Sequence, residues 1–383
     1  MRVPDVIEQC EYMKTMMIWF AVILGVLAGA LLVVGVIYSQ HPKFGQLPAG
    51  QYLKQAQASP QYHDGEFHNQ TDTPLFTTDQ GFVSVLLENM TQRPDNLTPA
   101  QALPSQAVDF HALDRSQDLV IWLGHSSFYV QLAGQRILID PVFSDSAAPV
   151  SFANKAYPGT SRYSAEDFPW IDLLLITHDH WDHLDYPSMM TLRGQTGKVV
   201  VPQGVGSYLR GWRFDPDIIQ EGEWYDQFEI TEHLKVHLIP ARHYSGRLLK
   251  RRQTLWAGFI LETRNHRLLF SGDTGFGPHF AEIAERFDSF DLVALDSGQY
   301  DPRWANIHMN PEQASEAAEI LGAKALLPAH VGRFTLARHA WDEPFRRLHD
   351  IREHRRYQLL TPVIGQVLVL DGLGQQTFTE WWQ

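Results

Sequence analysis

The sequence predicts an α/β fold in which two packed β-sheets are covered by outer helices, preceded by one N-terminal transmembrane helix. Two observations predict this fold. An uncharged apolar run covers residues 17–38, and from residue 119 onward short apolar runs are interspersed with helical patterns. The hydrophobic fraction of 44% and the charged fraction of 20% are typical of a globular protein rather than a disordered one.

The apolar run near the N-terminus is long enough to cross a bilayer. As a helix it would span about 33 Å, close to a hydrocarbon core of about 30 Å. Trp19 and Tyr38, near its two ends, fit interfacial positions. A cleavable signal peptide would have a shorter apolar region followed by a small-x-small site, whereas Ala28-Gly29-Ala30 lies inside this run. We therefore favour an uncleaved single-pass anchor. The positive charges on its two sides are nearly balanced, and we favour a catalytic domain outside the cytoplasm, periplasmic if the source is bacterial.

The chain divides into three predicted segments. Residues 1–44 form the tail and the anchor. Residues 45–110 are rich in Pro, Gln, Asp and Thr with few periodic apolar runs, which indicates a stalk and then an extended arm that packs on the core. Residues 111–383 form the catalytic domain. Its predicted strands are 119–123, 128–132, 136–139, 173–176, 199–201, 236–239, 259–262, 268–270, 292–295, 325–327 and 367–370. Helices are predicted at 279–287, 311–321 and 341–354, with Asn310 as N-cap and Pro311 in the first turn.

The run from Thr177 to His183 places three histidines and two non-adjacent aspartates directly after an apolar strand. Imidazole and carboxylate at this density are typical of a divalent transition-metal site. Further donors also follow apolar runs, namely His243, Asp273 in Gly-Asp-Thr, and His330. The candidate ligands are His178, His180, Asp182, His183, His243, Asp273 and His330, enough for two metals that share a carboxylate.

Composition excludes several other classes of site. Cys10 is the only cysteine, so no disulfide, zinc–thiolate site or cysteine nucleophile is expected in the folded domain. A formal charge of −13 argues against general nucleic-acid binding. The sequence leaves a homodimer open.

The pattern His-x-His-x-Asp-His, followed by a single His, the Asp of Gly-Asp-Thr and a late His, resembles the metallo-β-lactamase superfamily. Within it, the chain is similar to N-acyl-phosphatidylethanolamine-hydrolysing phospholipase D and its bacterial relatives over roughly residues 60–355. The strings that carry this likeness lie at 122–126, 139–144, 183–186, 271–275, 300–304 and 308–312. The resemblance implies a four-layer αββα sandwich.

The resemblance also implies a site with two zinc ions, although other divalent transition metals stay open. Metal 1 would take His178, His180 and His243, and metal 2 would take Asp182, His183 and His330. Asp273 would bridge them beside a shared water or hydroxide. Asp140 is interpreted either as an acceptor that holds the ligand loop or as a turn residue.

Asp182 and His308 are the residues expected to take part directly in catalysis. The relatives carry a histidine at the position of His308, which would stabilise developing charge or protonate the leaving oxygen. The alternative for His308 is a polar residue that flanks a helix. The basic run of Arg247, Lys250, Arg251 and Arg252 either attracts an anionic phosphate or membrane surface, or is a solvated hairpin tip. Residues 244–246 and 296–299 depart from the relatives, and both changes are expected to reshape the substrate pocket.

The leading hypothesis is a membrane-anchored di-zinc phosphodiesterase for small-molecule or phospholipid-like substrates of the N-acyl-phosphatidylethanolamine type. A lactone, β-lactam or thioester hydrolase is the alternative on the same site. A metal-dependent oxidoreductase and a non-catalytic envelope scaffold are further alternatives.

Overall fold

The computed structural model describes residues 6–79, 88, 94–247 and 250–383. The start of the tail and residues 80–87 and 89–93 of the predicted arm lie outside the described residues. The chain separates into two compact units, Met1–Gly45 and Gln46–Gln383.

The first unit contains helix α1, Val6–Ser39. Its portion Glu11–Ser39 has a mean hydropathy of 2.9 over its most apolar window. By length and composition this helix fits either a membrane anchor or a signal sequence.

The second unit is built on two seven-stranded sheets and a short hairpin. Its strands are β1 Tyr62–His63, β2 Glu66–Phe67, β3 Leu119–Trp122, β4 Phe128–Leu132, β5 Gln135–Ile139, β6 Ile171–Leu175, β7 Thr196–Pro202, β8 Ile219–Gly222, β9 Gln227–Thr231, β10 Leu234–Ile239, β11 Gly258–Glu262, β12 Arg267–Phe270, β13 Leu292–Asp296, β14 Ala325–Ala329, β15 Gln358–Leu359 and β16 Val367–Val369. The helices are α2 Gln51–Gln57, α3 Tyr186–Leu192, α4 Gly206–Gly211, α5 His279–Phe287, α6 Pro311–Ile320 and α7 Glu343–Ile351.

The strand order is β16-β3-β4-β5-β6-β7-β8 in one sheet and β15-β14-β13-β12-β11-β10-β9 in the other. The sheets pack face to face around one apolar core, in which the rings of Phe128 and Phe270 lie 5.0 Å apart. The outer face of the second sheet is covered by α5, α6 and α7, whose buried side chains include Phe280, Ala314 and Leu348. Two packed sheets with outer helices confirm the predicted fold class.

Strand direction determines where the polar residues collect. Strands β5 to β8 run parallel, and so do β12 to β15. The central strands β13 and β14 are continuous buried runs, which suits strands covered on both faces. Since β10 and β12 are each antiparallel to β11, they point the same way. The residues after β6, β10, β12 and β14 therefore meet at one edge, where ligands of such sheets usually bind.

Candidate metal centre

The structure brings all seven predicted ligands together at this edge, in two groups whose members are buried except for the half-buried His180. In the first group, single ligand atoms of His178, His180, His243 and Asp273 lie within 4.8 Å of one another. His180 Nδ1 is 2.9 Å from His178 Nε2 and 3.2 Å from His243 Nε2. Burial, with the neighbouring histidines, holds the pKa of His178 well below its usual range, so this imidazole is neutral.

The second group contains Asp182, His183 and His330, together with His125, again within 4.8 Å. Asp182 Oδ2 is 2.9 Å from His125 Nε2 and 3.5 Å from His183 Nε2. His125 follows β3 just as the predicted ligands follow their strands. The sequence interpretation did not include it, although the same signal, a polar residue after an apolar run, was present.

Asp273 faces both groups. Its Oδ2 is 3.7 Å from His178 Nε2 and 3.6 Å from His243 Nε2, while its Oδ1 is 3.0 Å from His183 Nε2 and 2.9 Å from His330 Nδ1. A carboxylate that directs one oxygen to each group has the placement that a bridging ligand requires.

Hydrogen bonds on the far side of the rings show that these donors fit metal cations. Thr177 Oγ1 donates to Asp140 and so accepts from His178 Nδ1 at 3.0 Å, while the Ile307 carbonyl accepts from His243 Nδ1 at 3.0 Å. Each ring therefore carries its proton on Nδ1 and directs the lone pair of Nε2 toward the centre. Lone pairs that converge in this way can coordinate a cation placed between them.

Two further observations support the same fit. Although His183 Nε2 and Asp273 Oδ1 lie only 3.0 Å apart, the two buried atoms do not meet with hydrogen-bond geometry, and neither makes another hydrogen bond within the described residues. Burial alone would lower the pKa of His183, but Asp273, Asp182 and Asp140 raise it well above its ordinary value. The local excess of negative charge is what bound cations would neutralise.

Asp140 supports the ligand loop directly. Its Oδ2 accepts from His183 Nδ1 at 2.7 Å, and its Oδ1 accepts from the Thr177 backbone N–H at 2.7 Å. Of the two interpretations of Asp140, the contacts favour the acceptor that holds the loop. Asp140, His125 and His330 all have a left-handed backbone, with φ of 44°, 56° and 62°. Such strain at non-glycine residues persists only where the surrounding structure enforces it.

Arg247 corrects one sequence interpretation. It is not part of a solvated hairpin tip, because its side chain is buried at 5% exposure and its guanidinium lies 3.8 Å from the centre of the Trp181 ring. Its Nη1 donates to the carbonyls of Asp179 at 2.9 Å and Leu184 at 2.6 Å. The guanidinium of Arg247 thus binds the backbone of the ligand loop. A run of basic residues in the sequence does not reveal this contact.

Asp179, between two candidate ligands, anchors the same loop from the other side. Its carboxylate accepts hydrogen bonds from the Tyr208 hydroxyl at 2.8 Å, the Thr254 hydroxyl at 3.1 Å and the Gly246 N–H at 2.6 Å. Three donors satisfy this buried carboxylate, which makes it a structural group of the loop.

His308 lies beside the two groups. Its ring stacks on that of His330 at 5.0 Å, and its Nδ1 donates to Asp296 Oδ2 at 2.8 Å. Burial would lower the pKa of His308, but the Asp296 carboxylate raises it above the ordinary value. Because Asp296 occupies Nδ1, the other ring nitrogen is the one available to the cavity.

A cavity of about 430 Å³ opens over both groups. Its wall includes Tyr244, Arg251 and Trp304, and the arm contributes Leu75 and the exposed Phe76. The sequence did not predict that the arm forms part of this wall.

Comparisons with known proteins agree with this geometry. The family model described as "Beta-lactamase superfamily domain" matches residues 135–331. An uncharacterized protein of Mycobacterium tuberculosis is 36% identical, over 86% of this chain and 88% of the relative. The N-acyl-phosphatidylethanolamine-hydrolyzing phospholipase D 1 of Caenorhabditis elegans is 30% identical, over 65% of this chain and 73% of the relative. The structure is also similar in fold to a metallo hydrolase from Ignicoccus hospitalis, with a TM-score of 0.52 and 20% sequence identity. The superposition covers 66% of this chain and 97% of the Ignicoccus chain.

Proposed function

This chain belongs to the β-lactamase superfamily and is a metal-dependent hydrolase, and from that premise we propose that it is a membrane-anchored di-zinc phosphodiesterase acting on phospholipid-like substrates of the N-acyl-phosphatidylethanolamine type. The observation that carries the proposal is the pair of buried donor groups that share Asp273.

In the proposed assignment, His178, His180 and His243 would hold one metal, Asp182, His183 and His330 would hold the other, and Asp273 would be shared between them. A nitrogen-rich donor set without thiolates suits zinc, although it also accommodates its neighbours in the transition series. Two such ions, when bound, lower the pKa of a water molecule toward 7 and stabilise both the attacking and the leaving oxygen.

The residues of the chain supply the remaining functions. Asp296 orients His308 through Nδ1, so that the opposite nitrogen faces the cavity, where it donates a proton to the departing alkoxide oxygen or stabilises its charge. Asp140, Asp179 and Arg247 keep the ligand loop in position before substrate arrives, which limits reorganisation during the reaction.

Two observations support a phospholipid-like substrate. The similar Caenorhabditis elegans protein is named for hydrolysis of N-acyl-phosphatidylethanolamine. The apolar helix α1, if it is retained as an anchor, would raise the effective concentration of the site at a membrane. We further propose that the catalytic unit lies outside the cytoplasm.

Metal analysis and a substrate panel on the full-length protein in detergent micelles test the proposal. We expect about two zinc ions per chain, and hydrolysis of N-acyl-phosphatidylethanolamine in mixed micelles to phosphatidic acid and an N-acylethanolamine. A Gln substitution at His180 is expected to remove metal and activity together. If the protein cleaves a lactone, β-lactam or thioester but no phosphodiester, it is a hydrolase of that alternative class instead. Bound iron with oxygen uptake would indicate an oxidoreductase.

A further inference from the structure

Tyr244 directly follows the candidate ligand His243 and lines the same cavity as the two donor groups. Its ring meets the ring of His180 edge-on at 4.6 Å and lies tilted on the ring of His243 at 5.0 Å. These contacts hold the phenol beside the first donor group, so little side-chain freedom remains to be lost when a ligand binds.

The hydroxyl of Tyr244 has no hydrogen-bond partner among the described residues, although the side chain is partly buried. Buried tyrosine hydroxyls usually find a partner in the protein. A phenol that lines a cavity without one, and that is a hydrogen-bond donor at neutral pH, is available to a ligand.

Arg251 lines the cavity next to Tyr244, with its guanidinium carbon 5.6 Å from the centre of the Tyr244 ring. Its backbone packs on Gly246, where an added Cβ would lie 3.2 Å from the Cα of Arg251. Within the described part of the chain, no carboxylate lies within ion-pair distance of Arg251, whereas the adjacent Arg252 pairs with Glu66 at 3.0 Å. The carboxylates in the cavity lining, Asp182 and Asp273, both belong to the donor groups.

We propose that Tyr244 and Arg251 form an anion subsite that binds a non-bridging oxygen of a phosphodiester monoanion. The inference rests on the proposed function and extends it to substrate selection. A phosphodiester spreads one negative charge over two non-bridging oxygens, whereas a carboxylic ester or lactone presents no anionic oxygen before attack. A phenolic donor and an unpaired cation beside the metals therefore favour phosphodiesters over uncharged esters.

Calorimetric titration of the full-length, zinc-loaded protein with dimethyl phosphate tests the subsite without any turnover. We expect Tyr244→Phe, which keeps the ring, to raise the dissociation constant on the order of tenfold, because a hydrogen bond to a charged group is lost. Arg251→Gln is expected to weaken binding several-fold, and less so at high salt. Lys250→Gln is the matched control, since Lys250 is exposed, carries the same charge and does not line the cavity.

Equal binding of dimethyl phosphate by the wild type and Tyr244→Phe would overturn the proposed subsite. So would weaker binding in parallel with a loss of zinc, because Tyr244 would then act only by supporting His180 and His243. Zinc content of each variant is therefore measured with the titration.

A kinetic comparison uses two substrates with the same leaving group, bis(p-nitrophenyl) phosphate and p-nitrophenyl butyrate. We expect Tyr244→Phe to lower the ratio of their kcat/KM values, phosphate over butyrate, by about tenfold. An unchanged ratio would contradict the proposal. If the wild type cleaves only the butyrate, the proposed phosphodiesterase function fails, while dimethyl phosphate binding still decides whether the subsite exists.

Discussion

The side chain of Asn69 forms hydrogen bonds with both backbone groups of His243. Its Nδ2 donates to the His243 carbonyl at 2.8 Å, and its Oδ1 accepts from the His243 N–H at 3.0 Å. The same Oδ1 accepts from Trp256 Nε1 at 3.1 Å. One side chain of the arm thus fixes the position of a candidate metal ligand far along the chain.

Asn69→Ala is expected to weaken metal binding by about 10- to 100-fold, because His243 loses the contacts that orient it. Competition with a chromophoric chelator measures the affinity. Gln70→Ala is the control, since Gln70 is exposed and its amide bonds to Glu282 at 3.2 Å, not to His243. Equal zinc affinity in the two variants would show that the arm does not support the site.

Arg247→Met is expected to lower the free energy of unfolding by about 3 kcal/mol, because the buried carbonyls of Asp179 and Leu184 lose their charged donor. Urea unfolding followed by tryptophan fluorescence measures the change. The exposed Lys250→Met should stay within about 0.5 kcal/mol of the wild type. A similarly small effect at Arg247 would argue against its role in holding the loop.

Asp296→Asn is expected to reduce turnover about 100-fold at unchanged metal content, because His308 loses the carboxylate that orients it. His308→Ala should reduce turnover at least as strongly. The double variant should be no slower than His308→Ala alone, since Asp296 acts through His308. Multiplicative losses would indicate separate roles, and full turnover with full metal content in His308→Ala would remove His308 from the mechanism.

His279 is expected to make the fold sensitive to acid. Burial, reinforced by Arg242, lowers the pKa of His279 to about 3 in the folded state, against about 6.5 unfolded. The unfolded chain therefore binds the proton first, and stability falls as the pH drops below 6.5. At pH 5 this group lowers the free energy of unfolding by about 2 kcal/mol.

The wild type should lose unfolding free energy between pH 7 and pH 5, and this loss should be about 2 kcal/mol smaller in His279→Gln. Urea unfolding at the two pH values measures the difference. His63→Gln, at an exposed position, serves as the control. An unchanged pH dependence in His279→Gln would show that His279 does not set it.

Most of the sheet framework was predictable because its central strands are buried on both faces and appear as apolar runs. The predicted runs at 292–295 and 325–327 correspond to β13 and β14, and the predicted helix at 279–287 is α5. Asn310 caps α6 through Gln313, as its sequence indicates. The strands β8 and β9 were missed, because both are partly exposed edge strands with polar residues.

The candidate site was predictable where a donor directly follows an apolar run, as Asp273 and His330 do. Contacts that depend on the folded arrangement were not predictable. Asn69 reaches His243 across 174 positions, and Arg247 lies in a charged run whose composition suggests solvent exposure. His125 carried the same strand-end signal as the other donors but stands apart from the histidine-rich motif.

The left-handed backbone at His125, Asp140 and His330 has a consequence for related sequences. At each of these positions glycine would relieve the local conformation. At Asp140 it would also remove the acceptor for His183 Nδ1 and the Thr177 N–H, so selection for stability alone would favour replacement only at His125 and His330, which belong to the second donor group. A descendant that no longer needed its catalyst would be expected to drift to glycine or asparagine at His125 and His330 first. Histidine at both positions would therefore be expected to mark retained activity when related sequences are sorted.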